Sequence, residues 1–237
     1  MIVSKQHRIA AAAVAIVYIA IQSFQWFVFG QLPPASGPAQ ELLQGAAPLN
    51  IARAILMLLS FFGLIYLFLV CCAATFRRRP ALSILAFLGF FTFCLFEIQL
   101  RAVELFYIYL QLPAQYQAAT DAASQAWLLR IPGIFAGVQS AVYFPLGLSW
   151  LLGSVLLCFA LGGGRYDWLA RFAFGLNAAR LALRMLDVYA LGPHFDALYS
   201  DLYLLLVFVT FVPLAAWLIL QQTPEAGRER PADHRAD

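Results

Sequence analysis

Residues 51–76 read IARAILMLLSFFGLIYLFLVCCAATF and run directly into Arg77-Arg78-Arg79. A hydrocarbon core of about 30 Å is crossed by about 20 helical residues. This stretch is therefore long enough to span a bilayer, and Arg53 is its only charge. The three arginines behind it mark a cytoplasmic stop under the positive-inside rule. Working outward, the same reading finds spans at about 9–30, 81–111, 131–161, 168–191 and 202–220. The expected fold is all-α: one domain over residues 1–221, a polytopic transmembrane helical bundle of about six spans with both termini cytoplasmic. The third and fourth spans exceed a straight crossing and must tilt, kink or protrude. Pro145 and Pro213 fall inside the fourth and sixth, where neighbouring helices can satisfy the freed carbonyls.

Composition supports that reading. The chain is 63% hydrophobic and 11% charged, against about 45–50% and about 25% for soluble domains. Lipid is the expected partner, and a bacterial cytoplasmic membrane the expected location. A net charge of +3 with no aromatic-interleaved basic run argues against nucleic acid. Cys71, Cys72, Cys94 and Cys158 all lie within apolar runs, so no disulfide framework is expected. His7, His194 and His234 are scattered, and neither a metal site nor a cofactor is expected. The basic start, Met1–Arg8, precedes an apolar stretch of about 22 residues, longer than the 7–15 of a cleavable signal. It reads as an uncleaved first span.

Loop charge sets the orientation. Lys5, Arg8, Arg77 to Arg79, Arg165, Arg228, Arg230 and Arg235 fall on one side of a six-span scheme, while Glu41, Asp121, Asp196 and Asp201 fall on the other. Residues 31–50, with four prolines, read as irregular or partly re-entrant. Residues 114–129 read as a short interfacial helix. Residues 222–237 are polar and charged and read as a disordered cytoplasmic tail.

Two spans carry ionisable groups on one face. Glu97, Arg101 and Glu104 lie within about 60° on the third, and Asn177, Arg180, Arg184 and Asp187 share a face of the fifth. An ionised group near a helix centre costs about 2.5–3.5 kcal/mol to insert, against about 0.3–0.6 returned by each Leu or Phe. These faces must turn from lipid, and matching depths make the two spans expected direct neighbours. With Arg53, the cluster holds Arg53, Arg101, Arg180 and Arg184 against Glu97, Glu104 and Asp187. One positive charge is left for an anionic partner, since the guanidinium fork suits carboxylate or phosphate.

Tyr18, Gln22 and Gln25 form a polar stripe on the first span, and Ser140 and Tyr143 mark the fourth. They read as cavity lining or as interhelical hydrogen bonds. Gly133 and Gly137 form a GxxxG, read as helix packing. Trp26, Trp127, Trp150, Trp168 and Trp217 read mostly as interfacial belt residues.

Glu97-x-x-x-Arg101 is shared with the intramembrane CAAX-processing proteases, but these also need a Glu-Glu pair and intramembrane histidines. Position 96 is Phe96 and no span holds a histidine, so that family is set aside. The sole lysine, Lys5, excludes a rhodopsin-type Schiff base. Arg8-Ile9 running into a first helix with Tyr18, and Asn50–Arg53 after a Pro/Gly-containing outer loop, resemble the small six-helix bacterial membrane proteins grouped as a domain of unknown function. The resemblance is one of architecture across most of the chain and implies no activity.

Three functions stay open. The best supported is binding or transport of a small anionic solute or lipid headgroup at the Arg/Glu cluster. A second is an accessory subunit whose ion pairs only fix packing. A third is a lipid-acting enzyme with Glu97 or Glu104 as general base, less favoured because no nucleophile or metal site accompanies it. The sequence leaves homo- or hetero-oligomerisation within the membrane open.

Overall fold

A computed structural model describes residues 3–221; the tail expected at 222–237 lies outside the described residues. Among the described residues the chain is all helix and turn, with no strand. In order, these are α1 (Lys5–Gln31), α2 (Pro38–Gly45), α3 (Pro48–Thr75), α4 (Pro80–Val103), α5 (Leu112–Ala118), α6 (Ala122–Leu128), α7 (Ile131–Ala160), α8 (Asp167–Leu186) and α9 (Asp196–Leu220). A π-helical segment, Glu104–Gln111, joins α4 to α5, and a second, Asp187–Leu191, extends α8. Pro38, Pro48 and Pro80 each open a helix, where a missing N–H costs nothing and φ is already helical. Ser4 caps α1 by accepting from the His7 N–H.

The long helices close into a ring in chain order: α1 packs on α3, α3 on α4, α4 on α7, α7 on α8, α8 on α9, and α9 back on α1. Neighbours run antiparallel. Phe61 meets Phe93 and Phe68 meets Phe90 between α3 and α4. Tyr18 meets Phe211 and Gln22 meets Tyr203 between α1 and α9.

One glycine pair fixes the order of the ring. A Cβ on Gly89 of α4 would lie 2.7 Å from the Ser149 carbonyl of α7, and one on Gly153 would lie 2.9 Å from the Phe90 ring. The two backbones therefore touch, which seats α7 between α4 and α8. The expectation that the two charged helices are direct neighbours is overturned. Arg101 finds carboxylates on its own helix, so charge complementarity places no demand on α8. The close approach also lies elsewhere than the GxxxG: nothing sits within 4 Å of a Cβ on Gly133 or Gly137.

Five helical stretches are long and apolar enough to cross a membrane: Lys5–Gln31, Pro48–Thr75, Pro80–Ala118, Ala122–Ala160 and Asp196–Leu220. The remaining long helix, α8, carries Asp167, Arg171, Arg180 and Arg184. Asp167, Asn177 and Arg180 are buried and Arg184 is half-buried, while Trp168, Phe172, Leu183 and Leu186 are exposed together with Arg171 at the basic end. That is the reverse of a soluble amphipathic helix.

The ends of the ring differ. At the basic end, the arginines satisfy the terminal carbonyls of α7: Arg79 donates to Phe159 O (2.7 Å), Arg78 to Gly162 O and Arg171 to Leu161 O. Cations suit the negative end of the helix dipole. Gly163 adopts φ 95° in the following turn. Asp167 closes that turn by accepting from Gly162 and Gly164 N–H, at 3.1 and 2.9 Å, and from Trp217 Nε1 at 3.1 Å. Trp217 is thus wholly buried and is no belt residue, unlike the exposed Trp127 and Trp168.

At the opposite end, α2 replaces the irregular segment expected at 31–50, and α5 and α6 replace the single interfacial helix expected at 114–129. Leu42, Ile108 and Leu112 form a small second core there. The end of the third apolar stretch, Glu104–Ala118, belongs to this layer.

Candidate functional site

The interior of the ring is filled at the basic end by Leu64, Leu67, Phe68, Phe90, Phe174 and Leu214. Toward the short-helix end it is hollow. A cavity of about 600 Å³ is lined from all six long helices. Its floor and walls are apolar, with Met57, Phe61, Phe93, Leu146 and Trp150, and its polar groups stand above and between them. An apolar pocket with a few convergent polar groups is the usual form of a small-molecule site.

Nine of the residues singled out in the sequence line this cavity: Tyr18, Gln22, Gln25, Glu97, Arg101, Ser140, Tyr143, Arg180 and Arg184. Arg53, Glu104, Asn177 and Asp187 do not, and each instead supports a residue that does or closes a neighbouring turn.

On the α3–α4 side every charged side chain has at least one ion-pair partner. Arg101 donates from Nε to Glu97 Oε2 (3.2 Å) and from Nη1 to Glu104 Oε2 (2.6 Å), the i−4 and i+3 spacings of one helix face. Its Nη2 donates to Tyr143 Oη at 3.3 Å. Glu104 Oε1 accepts from Tyr109 Oη (2.5 Å) and lies 3.8 Å from Arg53. Arg53 is itself oriented by Asn50, whose Oδ1 accepts from its Nε at 2.8 Å, and by Gln25 and Tyr109. The π-helical segment begins at Glu104. It widens the helix there, so that Tyr109, five residues on, reaches back to the Glu104 carboxylate.

The α8–α9 side is organised differently. Arg184 sits between two carboxylates, Asp187 (3.4 Å) and Asp196. Asp187 turns away from the cavity and accepts backbone N–H from His194 (3.0 Å) and Phe195 (3.4 Å). It thereby holds the turn leading into α9. Asp196 is the fourth carboxylate of the cluster. The sequence places it in a loop, and the start of α9 brings it to Arg184.

Arg180 is the exception. It is 7% exposed, and among the described residues no carboxylate lies within ion-pairing distance. Its Nε donates to Asn177 Oδ1 (2.9 Å), and Asn177 in turn donates to Ser154 Oγ at 2.8 Å. Nη1 reaches only Tyr199 Oη at 3.4 Å. The guanidinium lies 4.8 Å over the Trp150 ring, which is stacked on Phe93 at 4.2 Å. Trp150 is therefore a wall of the site and not an interfacial belt residue.

Two further cavity groups have spare hydrogen-bonding capacity. The Tyr18 hydroxyl has no hydrogen-bond partner among the described residues, although the side chain is 4% exposed. Gln22 is fully buried; its Oε1 accepts from Tyr203 (3.0 Å), while Nε2 meets only the weak acceptor Met57 Sδ at 3.6 Å. Tyr18 and Gln22 thus present spare donor groups to the same cavity as Arg180.

Sequence reasoning missed Tyr199 and Tyr203. With Asp196 they fall at i, i+3 and i+7, one face of α9, and that spacing was the available signal. Among the described residues no group of three or more His, Cys, Asp or Glu could hold a metal ion.

In comparisons with protein-family models, curated proteins and solved structures, nothing matches the chain. The resemblance carried by Arg8-Ile9 and Asn50–Arg53 therefore brings no family assignment.

Proposed function

We propose that this is an integral membrane protein that binds, or carries, a small solute or lipid headgroup through its anionic group, and that Arg180 is the anion-binding residue. One observation carries the reading: a buried guanidinium facing a cavity with no carboxylate partner. A buried charge is costly unless paired, and arginine's fork is suited to carboxylate or phosphate. Tyr18 Oη and Gln22 Nε2 offer further donors to the same anion.

The membrane setting belongs to this proposal. Six crossings are supported by the alternating direction of the long helices and by the apolar exposed face of α8. Both ends in the cytoplasm, of a bacterial inner membrane, are supported by the arginines gathered at the basic end. The cavity then opens on the outer side. The test is thermal stabilisation of detergent-purified protein by organic carboxylates and phosphates. The wild type gains stability; Arg180→Met still folds and gains none. Equal stabilisation of both sinks the assignment.

A second reading, a structural subunit held by ion pairs, draws on the α3–α4 network, where every charge has an internal partner. It accounts for Arg53, Arg101, Glu97 and Glu104 but leaves Arg180 without a role.

A further inference from the structure

Resting on Arg180 as the anion-binding residue, we propose that the ligand is a zwitterion whose ammonium group is held by Glu97. Two observations carry this, one of charge and one of geometry.

Asp196 completes the charge balance of the cluster. Arg53, Arg101, Arg180 and Arg184 stand against Glu97, Glu104, Asp187 and Asp196, so the cluster is formally neutral. A bare anion entering would leave an uncompensated negative charge in a poorly solvated space, which is unfavourable. A zwitterion enters without changing the total.

The geometry shows that neutrality is not local. Arg184 takes two carboxylates, whereas Arg180 has none. On α4, which α7 separates from α8, Glu97 is 8% exposed and binds Arg101 through Oε2 alone. Its Oε1 has no partner among the described residues, and Glu97 lines the same cavity as Arg180. One unanswered cation and one half-answered carboxylate thus share a single space. Tyr18, whose hydroxyl is also unpartnered, lines it with them. Such a space accepts a molecule with both signs, oriented anion toward α8 and ammonium toward α4. Met57, Phe61, Leu146 and Leu181 also line the cavity and supply apolar surface for the body of such a molecule.

The shared chemistry is a primary ammonium near a carboxylate or phosphate. Either a free amino acid or an ethanolamine phospholipid headgroup supplies it. The experiment is a matched-pair binding measurement on purified full-length protein. One pair is L-phenylalanine against 3-phenylpropionate, which lacks the amine. The other is short-chain phosphatidylethanolamine against phosphatidylglycerol.

The amine-bearing member of one pair is expected to bind about tenfold or more tightly than its partner, as for loss of one charged contact. The pair that responds identifies the source. Glu97→Gln is expected to erase the difference within that pair, weakening the amine-bearing member and, because the cluster is left with one net positive charge, strengthening the amine-free one. If the amine-free acid or lipid binds the wild type as tightly as its partner, the zwitterion is overturned and the anion site stands. If none of the four probes stabilises the wild type, both fall. The wild-type comparison decides the matter even if Glu97→Gln fails to fold.

Discussion

Arg53 and Arg180 are held in the same way and meet different fates. Each sits three residues after an asparagine whose Oδ1 accepts from its Nε, at 2.8 Å for Asn50–Arg53 and 2.9 Å for Asn177–Arg180. Each then reaches a tyrosine hydroxyl, Tyr109 or Tyr199, and lies against an aromatic ring, Phe29 at 4.9 Å or Trp150 at 4.8 Å. Arg53 goes on to face Glu104. Arg180 faces the cavity. The same local device, Asn-x-x-Arg on a helix, thus serves packing where the chain provides a carboxylate and is left facing the cavity where it does not.

The largest effect is expected on the satisfied side. Glu104→Gln leaves Arg53 with no carboxylate and Arg101 with only Glu97, and should cost about 3–5 kcal/mol, as for breaking a buried pair. Denaturation in detergent reads this directly, and an unchanged midpoint would break the comparison. Next, Arg53→Met and Arg180→Met should diverge. Arg53→Met removes a partner of Glu104 and should cost about 2–3 kcal/mol. Arg180→Met strands no carboxylate and sheds an insertion cost of about 2.5–3.5 kcal/mol. Its stability should stay within about 1 kcal/mol of wild type, the loss of the Asn177 hydrogen bond and of the Trp150 cation–π contact together offsetting most of that gain. Its ligand response should vanish. Equal destabilisation by the two variants would mean Arg180 is structural after all.

A smaller effect probes the ring beneath Arg180. Trp150→Leu removes a desolvated cation–π contact of about 2 kcal/mol or less and should weaken binding by up to about thirtyfold in a titration. Smallest of all, Tyr143→Phe loses the hydroxyl that accepts from Arg101 at 3.3 Å and from Gln139 at 2.9 Å, each bond worth about 0.5–1.5 kcal/mol. Because Arg101 keeps two carboxylates, ligand affinity should stay unchanged. A large change there would move the site from α8 toward α4.

The helices and their inward charged faces were legible because apolar length and 100° spacing are local properties. Glu97, Arg101, Arg180 and Arg184 could be placed on faces without knowing what lay opposite. What lay opposite was not legible. The neighbour of α4 is decided by Gly89 and Gly153, two small residues that carry no distinctive pattern in a glycine-containing apolar run. Tyr109 reaches Glu104 only because a π-helical segment begins there, and a 3.6-residue period cannot anticipate one. Asp196 read as a loop charge because its role depends on where α9 begins.

The ring closes in chain order, with α1 meeting α9 last. During synthesis each long helix therefore finds its predecessor already waiting, except that α8 emerges before the segment carrying Asp196, Tyr199 and Tyr203. For that interval Arg184 has only Asp187, and Arg180 has Asn177 and the Trp150 ring. The arrival of α9 completes the wall around both arginines and joins the last helix to the first. The cavity and the closed ring are thus products of the same final docking event, so a nascent chain stalled before α9 has neither.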